Sequence, residues 1–169
     1  MSKKSQFYIV TALILLAVTF SIYPSFLRPT KPVTVFDELS ANFEVESPKV
    51  VNNALYRGNE PGAVLRNFTT EFLAYAKTRD PDFRLLYVFA HNSSIEIGNY
   101  LVFQVNASTN SSSILVGPNN NGVVPLSAVV SVKVNNFNYK FANLTGSGLV
   151  LKSLFRSRKD RETKVHVTD

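Results

Sequence analysis

The pattern of hydrophobic and polar positions divides this chain into three stretches. The first stretch has no alternation at all: from Ser5 to Leu27 no charged residue interrupts a run centred on Ile9, Val10, Leu13, Ile14, Leu15, Leu16 and Val18. At 1.5 Å per residue such a run extends about 34 Å as a helix, enough for the roughly 30 Å hydrocarbon core of a bilayer. It predicts a transmembrane helix over residues 6–27, with Phe7, Tyr8, Phe20 and Tyr23 at its two interfaces. A buried core helix of this length needs a larger protein around it. A cleaved secretory signal has a shorter apolar region and a small-residue cleavage site, which Ser21-Ile22-Tyr23-Pro24 does not supply. Lys3 and Lys4 favour a cytoplasmic N-terminus with the remainder outside, against Arg28 and Lys31 on the far flank. Pro24, Pro29 and Pro32 break the helix and predict a stiff spacer over residues 28–35.

The second stretch is helical. Phe36, Leu39 and Phe43 share a face behind Asp37 and Glu38, which predicts a short helix. Ser47-Pro48 reads as a fresh start, N-cap then first helical residue, for a second short helix that Arg57-Gly58 ends. A stronger amphipathic helix follows Glu60-Pro61-Gly62, with Val64/Leu65, Phe68, Phe72 and Tyr75/Ala76 as its stripe and its end before Pro81.

From Phe83 the pattern becomes that of strands. Phe83 to Ala90 is apolar enough for a central strand, and His91 to Ser94 is a turn. Ile95–Ile97 and Tyr100–Val105 are two pieces around Gly98-Asn99, either a tight hairpin or a bulged strand. Residues 106–113 and 117–122 read as loops around a brief Ile114-Leu115-Val116, and Pro125 places Val123–Leu126 at a sheet edge. Val130, Val132 and Val134 turn at Asn135-Asn136 into Phe137, Tyr139 and Phe141; residues 148–155 form a last strand. The expected fold class is therefore α+β: a membrane helix, then a small head over residues 36–155 with two or three short helices and an antiparallel sheet of five to seven strands. Residues 156–169, mixed in charge with little to bury, read as a basic flexible tail.

Charge sharpens this picture. The net charge is +6, but residues 1–36 hold four basic and no acidic groups, residues 37–132 six basic and nine acidic, and residues 133–169 eight basic and three acidic. A mildly acidic body between basic ends argues against nucleic acid as a partner, which would want cations gathered on the folded face. The cluster Arg156, Arg158, Lys159 and Arg161 has three readings: a solvated tail, a contact for anionic polymer or lipid headgroups, or nucleic-acid binding without stacking aromatics. Cysteine is absent, which excludes disulfides, thiolate metal sites and a cysteine nucleophile.

No catalytic motif emerges. His91 and His166 stand apart with no paired metal-ligand spacing, and there is no GxSxG or phosphate-cradling glycine loop. The acid pairs Asp37/Glu38, Glu44/Glu46 and Asp80/Asp82 read as helix starts and a turn. The expectation is a non-enzyme with no cofactor, no metal and no small-molecule substrate. Five glycosylation sequons do occur, at Asn67, Asn92, Asn106, Asn110 and Asn143, most of them in predicted turns.

Lys3-Lys4-Ser5-Gln6-Phe7, running straight into the apolar stretch, resembles the class III signal of archaeal type IV pilin-like proteins. The resemblance implies a leader over residues 1–5, cleavage by a prepilin peptidase between Ser5 and Gln6, and a helix that moves from lipid into a filament core. Ser5 stands where glycine or alanine is more usual, and Val10 where many pilins have glutamate. The head resembles uncharacterised archaeal membrane-anchored proteins. The expected protein is thus a single-pass cell-surface subunit, structural or adhesive, with membrane lipid, the peptidase and other pilin-like subunits as partners. The alternative is a permanently anchored accessory or ligand-binding module that does not polymerise.

Overall fold

A computed structural model describes residues 34–145, 148–159 and 162–168, apart from the side chains of residues 159 and 162. The expected leader, the span over residues 6–27 and nearly all of the spacer lie outside these residues.

Helix α1 runs Val35–Tyr56. Thr34 caps it reciprocally: its hydroxyl oxygen accepts from the Asp37 N–H at 3.3 Å, and the Asp37 carboxylate accepts from the Thr34 N–H at 3.1 Å. The two short helices expected here are one, with Pro48 inside it. A proline at an interior position costs about 3 kcal/mol. Here Phe36, Leu39, Phe43, Val51 and Ala54 continue a single buried stripe through it, and that burial outweighs the penalty. The Ser47 hydroxyl, expected as a cap, donates back to the Phe43 carbonyl at 2.6 Å.

Helix α2 runs Pro61–Arg79 and starts as expected, with the Glu60 carboxylate accepting from the N–H groups of Gly62 and Ala63. Its inward line is Leu65, Thr69, Leu73 and Ala76, with Phe68 and Phe72 half-buried beside it. Tyr75, placed on the stripe by its spacing, is exposed.

The strands are β1 Arg84–His91, β2 Ser94–Asn99, β3 Val105–Ser108, β4 Ser113–Val116, β5 Asn120–Pro125, β6 Val130–Val134, β7 Phe137–Phe141, β8 Val150–Lys159 and β9 Glu162–Val167. They form two antiparallel sheets, ordered β5-β2-β1-β8-β9 and β4-β3-β6-β7, in place of the single sheet expected.

β1 organises three layers. Leu85, Tyr87 and Phe89 face the helices, where they join Phe36, Leu39, Phe43, Leu65 and Phe155 in one core. Leu86, Val88 and Ala90 face the four-stranded sheet and pack with Ile95, Ile97, Val105, Val130, Val132 and Phe141 in a second. A strand buried on both faces reads as a continuous apolar run, which is why β1 shows no clean alternation.

Gly98-Asn99 is neither a hairpin turn nor a bulge. Both residues lie in β2, Gly98 directly opposite Tyr87. The chain then crosses to the second sheet, so that Asn106, expected in a loop, is in β3. The turns do fall on asparagines: Asn92, Asn119, Asn135 and Asn143 have φ of 53°, 55°, 53° and 60°, left-handed values that asparagine tolerates better than other side-chain-bearing residues. The asparagine bias of the composition is partly a bias of turn geometry.

Two corrections concern the ends. The segment expected to be a flexible tail is the second half of β8 and all of β9, paired from Leu154↔Val167 to Lys159↔Glu162. Phe155, Ser153 and Ser157 are buried by this pairing. The fold class is also corrected. Among the described residues no helix is long and apolar enough to cross a membrane, since α1 and α2 carry charged residues along their outer faces. What stands is an α+β domain of two helices and two antiparallel sheets.

Candidate anion-binding site

Two polar clusters interrupt the apolar layers. The first is enclosed between α2 and the five-stranded sheet. Glu96, 3 % exposed, accepts from the Tyr87 hydroxyl at 2.7 Å and from Arg66 Nη1 at 2.7 Å. Burial, reinforced by Glu96 alongside, pushes the Tyr87 hydroxyl pKa well above its ordinary value. Burial works against the charge on Arg66, but its hydrogen bond to Glu96 and the negative charges of Glu96 and Glu60 together outweigh that and raise its pKa. Both Glu96 carboxylate oxygens and the Tyr87 hydroxyl have partners, and the arrangement clamps α2 to β2. It forms one end of an open groove of about 580 Å³ lined by Thr70, Lys77, Tyr100, Asn119 and Asn121.

The second cluster is cationic and lies at the opposite end of β1. In the β1–β8 register Arg84 sits directly across from Arg156, on the face turned toward the four-stranded sheet. Arg158 follows on the same face of β8, since side chains two apart on a strand share a face. The three guanidinium-bearing side chains surround a cavity of about 220 Å³, closed by Leu101, Val102 and Phe103 from the β2–β3 crossover. Arg84 is steered by donating from Nη1 to the carbonyls of Pro81 and Phe83, each at 2.7 Å. Arg156 is steered by the Phe103 ring, whose centroid lies 4.8 Å from its Cζ.

Like charges directly opposite on neighbouring strands are destabilising. Among the described residues none of these three arginines makes an ion pair with a carboxylate. Asp82 lines the cavity, leaving two positive charges in excess there. Its backbone N–H donates to the Asp80 carboxylate at 3.2 Å, which makes Asp80-Pro81-Asp82 the turn its sequence suggests. The arginines are planar donors held in place by a carbonyl pair and an aromatic face, suited to a carboxylate or phosphate. Among the described residues the cavity lining offers no histidine, hydroxyl or amine, and Asp82 is its one carboxylate.

Of the basic residues singled out in the sequence, Arg156 and Arg158 line this cavity. The side chain of Lys159 and all of Arg161 lie outside the described residues, as do Ser5 and Gln6. Arg84 was missed. Its signal was its place as the one cation leading into the apolar run of β1. The five sequon asparagines are separate from this cavity and from one another. Asn67 is exposed on α2, Asn92 in the β1–β2 turn, Asn106 on β3, Asn110 in the β3–β4 loop and Asn143 after β7. At the first sequon the Thr69 hydroxyl is buried and donates to the Leu65 carbonyl at 2.7 Å.

No protein-family model, curated protein or solved structure matches this chain. The expected pilin-like class therefore gains no support from relatives, and the described fold contains no membrane-spanning helix. The reading as an anchored surface subunit is corrected on the second ground: what the described residues show is an α+β domain with no helix long and apolar enough to cross a membrane. Corrected with it are the membrane lipid, prepilin peptidase and pilin-like subunits as partners, and the single-pass location.

Proposed function

We propose that this domain is a binding module, not an enzyme, and that it holds an anionic group of its ligand on Arg84, Arg156 and Arg158. The observation that carries the reading is the direct cross-strand pairing of Arg84 with Arg156, with no carboxylate ion-paired to either among the described residues, at the wall of a formed cavity. An anion placed there turns a repulsive pair into two charge-assisted hydrogen bonds, each contributing about 1.5–3 kcal/mol.

The test is a titration of the full chain with citrate and with inorganic phosphate, followed by amide and arginine side-chain NMR shifts. Shifts should converge on Arg84, Arg156, Arg158 and Phe103, and weaken as salt is added. Arg158→Gln, at an exposed position where folding is least affected, should raise Kd about tenfold or more. Shifts scattered over unrelated surface lysines, or an unchanged Kd in Arg158→Gln and Arg84→Gln, would sink the assignment.

A further inference from the structure

The two sheets are closed along one pair of edges and open along the other. At the closed side β5 meets β4 so tightly that a Cβ on Gly122 would lie 2.7 Å from a Val116 methyl. At the open side the edge strands β9 and β7 stand apart across a groove of about 460 Å³. Its walls are Val165 and Thr163 on one side and Phe137 and Tyr139 on the other, and its floor is Leu154 and Arg156. Phe137 is 67 % exposed and Val165 43 % exposed. Among the described residues β9 pairs with β8 alone, so one row of its backbone N–H and C=O groups is unpaired. Arg156 lines both this groove and the arginine cavity, so the two are neighbours that share one side chain.

We infer that this groove takes an extended acidic peptide segment of another protein, added as a strand to β9. The inference rests on the anion-binding reading above and names its ligand class. Each part of the groove matches one part of such a ligand. The free edge of β9 satisfies an extended backbone, as in strand addition to other sheets. Phe137 and Val165 receive alternate apolar side chains, which in a strand recur every second residue. Arg156, with Arg158 and Arg84 beyond it, receives one or two carboxylates at the end of that segment. A second copy of β9 brings Glu162 and Lys164, which offset each other, together with the same arginines, and residues 1–33 bring four basic and no acidic groups. Neither complements the cationic end.

The test uses the full chain and three labelled peptides: acetyl-Asp-Glu-Val-Thr-Leu-Thr-Val-amide, its Asn-Gln counterpart, and an Asp-Glu peptide continued by alternating Gly and Ser. Binding is read by fluorescence anisotropy, and its location by hydrogen exchange of the β9 amides from Thr163 to Val167. The first peptide should bind at least about tenfold tighter than either control and slow exchange of the β9 amides not bonded to β8. Phe137→Ser, at an exposed position, should weaken it while leaving citrate binding unchanged. Citrate binding at the arginines without β9 protection by the first peptide overturns the peptide inference and leaves the anion site standing. Loss of both overturns both. Equal affinity for the Asn-Gln peptide, or β9 amides already fully protected in the free chain, also overturns the inference.

Discussion

Gly98 tests the account of the helix-facing core most directly. Its backbone is ordinary strand, so nothing in its φ demands glycine. What demands it is Tyr87: a Cβ at Gly98 would lie 2.2 Å from Cε1, 2.4 Å from Cζ and 2.8 Å from Cδ1 of that ring. The ring lies flat across the glycine and so reaches Glu96 with its hydroxyl at 2.7 Å. Gly98→Ala must push the ring aside. Overpacking of this kind costs about 1–3 kcal/mol, and a shortened hydrogen-bond inventory at buried Glu96 costs about 1–3 kcal/mol more. The expected loss is thus about 2–6 kcal/mol, read in urea as a midpoint lowered by about 1–3 M at unchanged slope. The decisive control is Tyr87→Val, which deletes all three clashing atoms while keeping a strand-favouring side chain. In that background Gly98→Ala should stabilise by about 0.5–1 kcal/mol, the usual gain from removing a strand glycine. The double-mutant cycle therefore changes sign. An equal loss in both backgrounds would refute the steric explanation.

Three further outcomes follow from neighbouring contacts. Arg66→Met strands a carboxylate that is 4 % exposed, whereas Glu96→Gln leaves a guanidinium that is 37 % exposed and free to turn to water; the first should cost about 3 kcal/mol and the second about half of that by denaturant unfolding, and the reverse order would contradict the clamp. Because Tyr87 holds its proton in the fold to higher pH than an unfolded tyrosine, its contribution is complete below about pH 10 and falls by up to about 1.4 kcal/mol per pH unit above it. Tyr87→Phe should flatten that alkaline decline, and an identical stability–pH profile in the variant argues against the shift. Pro48→Ala should stabilise by about 1–3 kcal/mol, since proline stands inside α1; a loss of stability or no change in melting temperature is what a first-turn proline would give instead.

How far the fold was legible depended on whether local signals and burial agreed. At α2 they agreed: Glu60, Pro61 and Arg79 mark its ends in the sequence and in space. At Ser47-Pro48 they disagreed, because the cap signal is local while the stripe from Phe36 to Ala54 answers to a sheet residues away. Gly98-Asn99 failed for a related reason. A glycine in a strand signals a turn, a bulge or a close approach equally well, and only the register with Tyr87 selects the last. β9 was missed although Lys164-Val165-His166-Val167 alternates on the period of a strand, because the charged run from Arg156 to Lys164 before it reads as a solvated tail; its pairing is decided by β8, and His166 and Lys164 then reach Glu44 and Thr34 at 2.7 and 3.2 Å. The arginine site was half legible. Arg156 and Arg158 stood out as a basic run, but Arg84 lies seventy-two residues earlier and joins them only through the β1–β8 pairing.

That pairing also explains how one strand serves both stability and recognition. β1 is buried on both faces over its length, so its position is fixed from the helices and from the second sheet at once. Arg84 stands at the first position of this strand, where burial is incomplete and the side chain reaches solvent. Its neighbour Arg156 inherits the same rigidity through the register, and Phe103 completes it from the crossover between the sheets. Two like charges held by such a frame cannot relax away from each other by backbone movement, as they would in a flexible tail. The repulsion is retained in the free domain and is relieved when an anion lies between them, so the rigidity of the core is itself part of the affinity of the site.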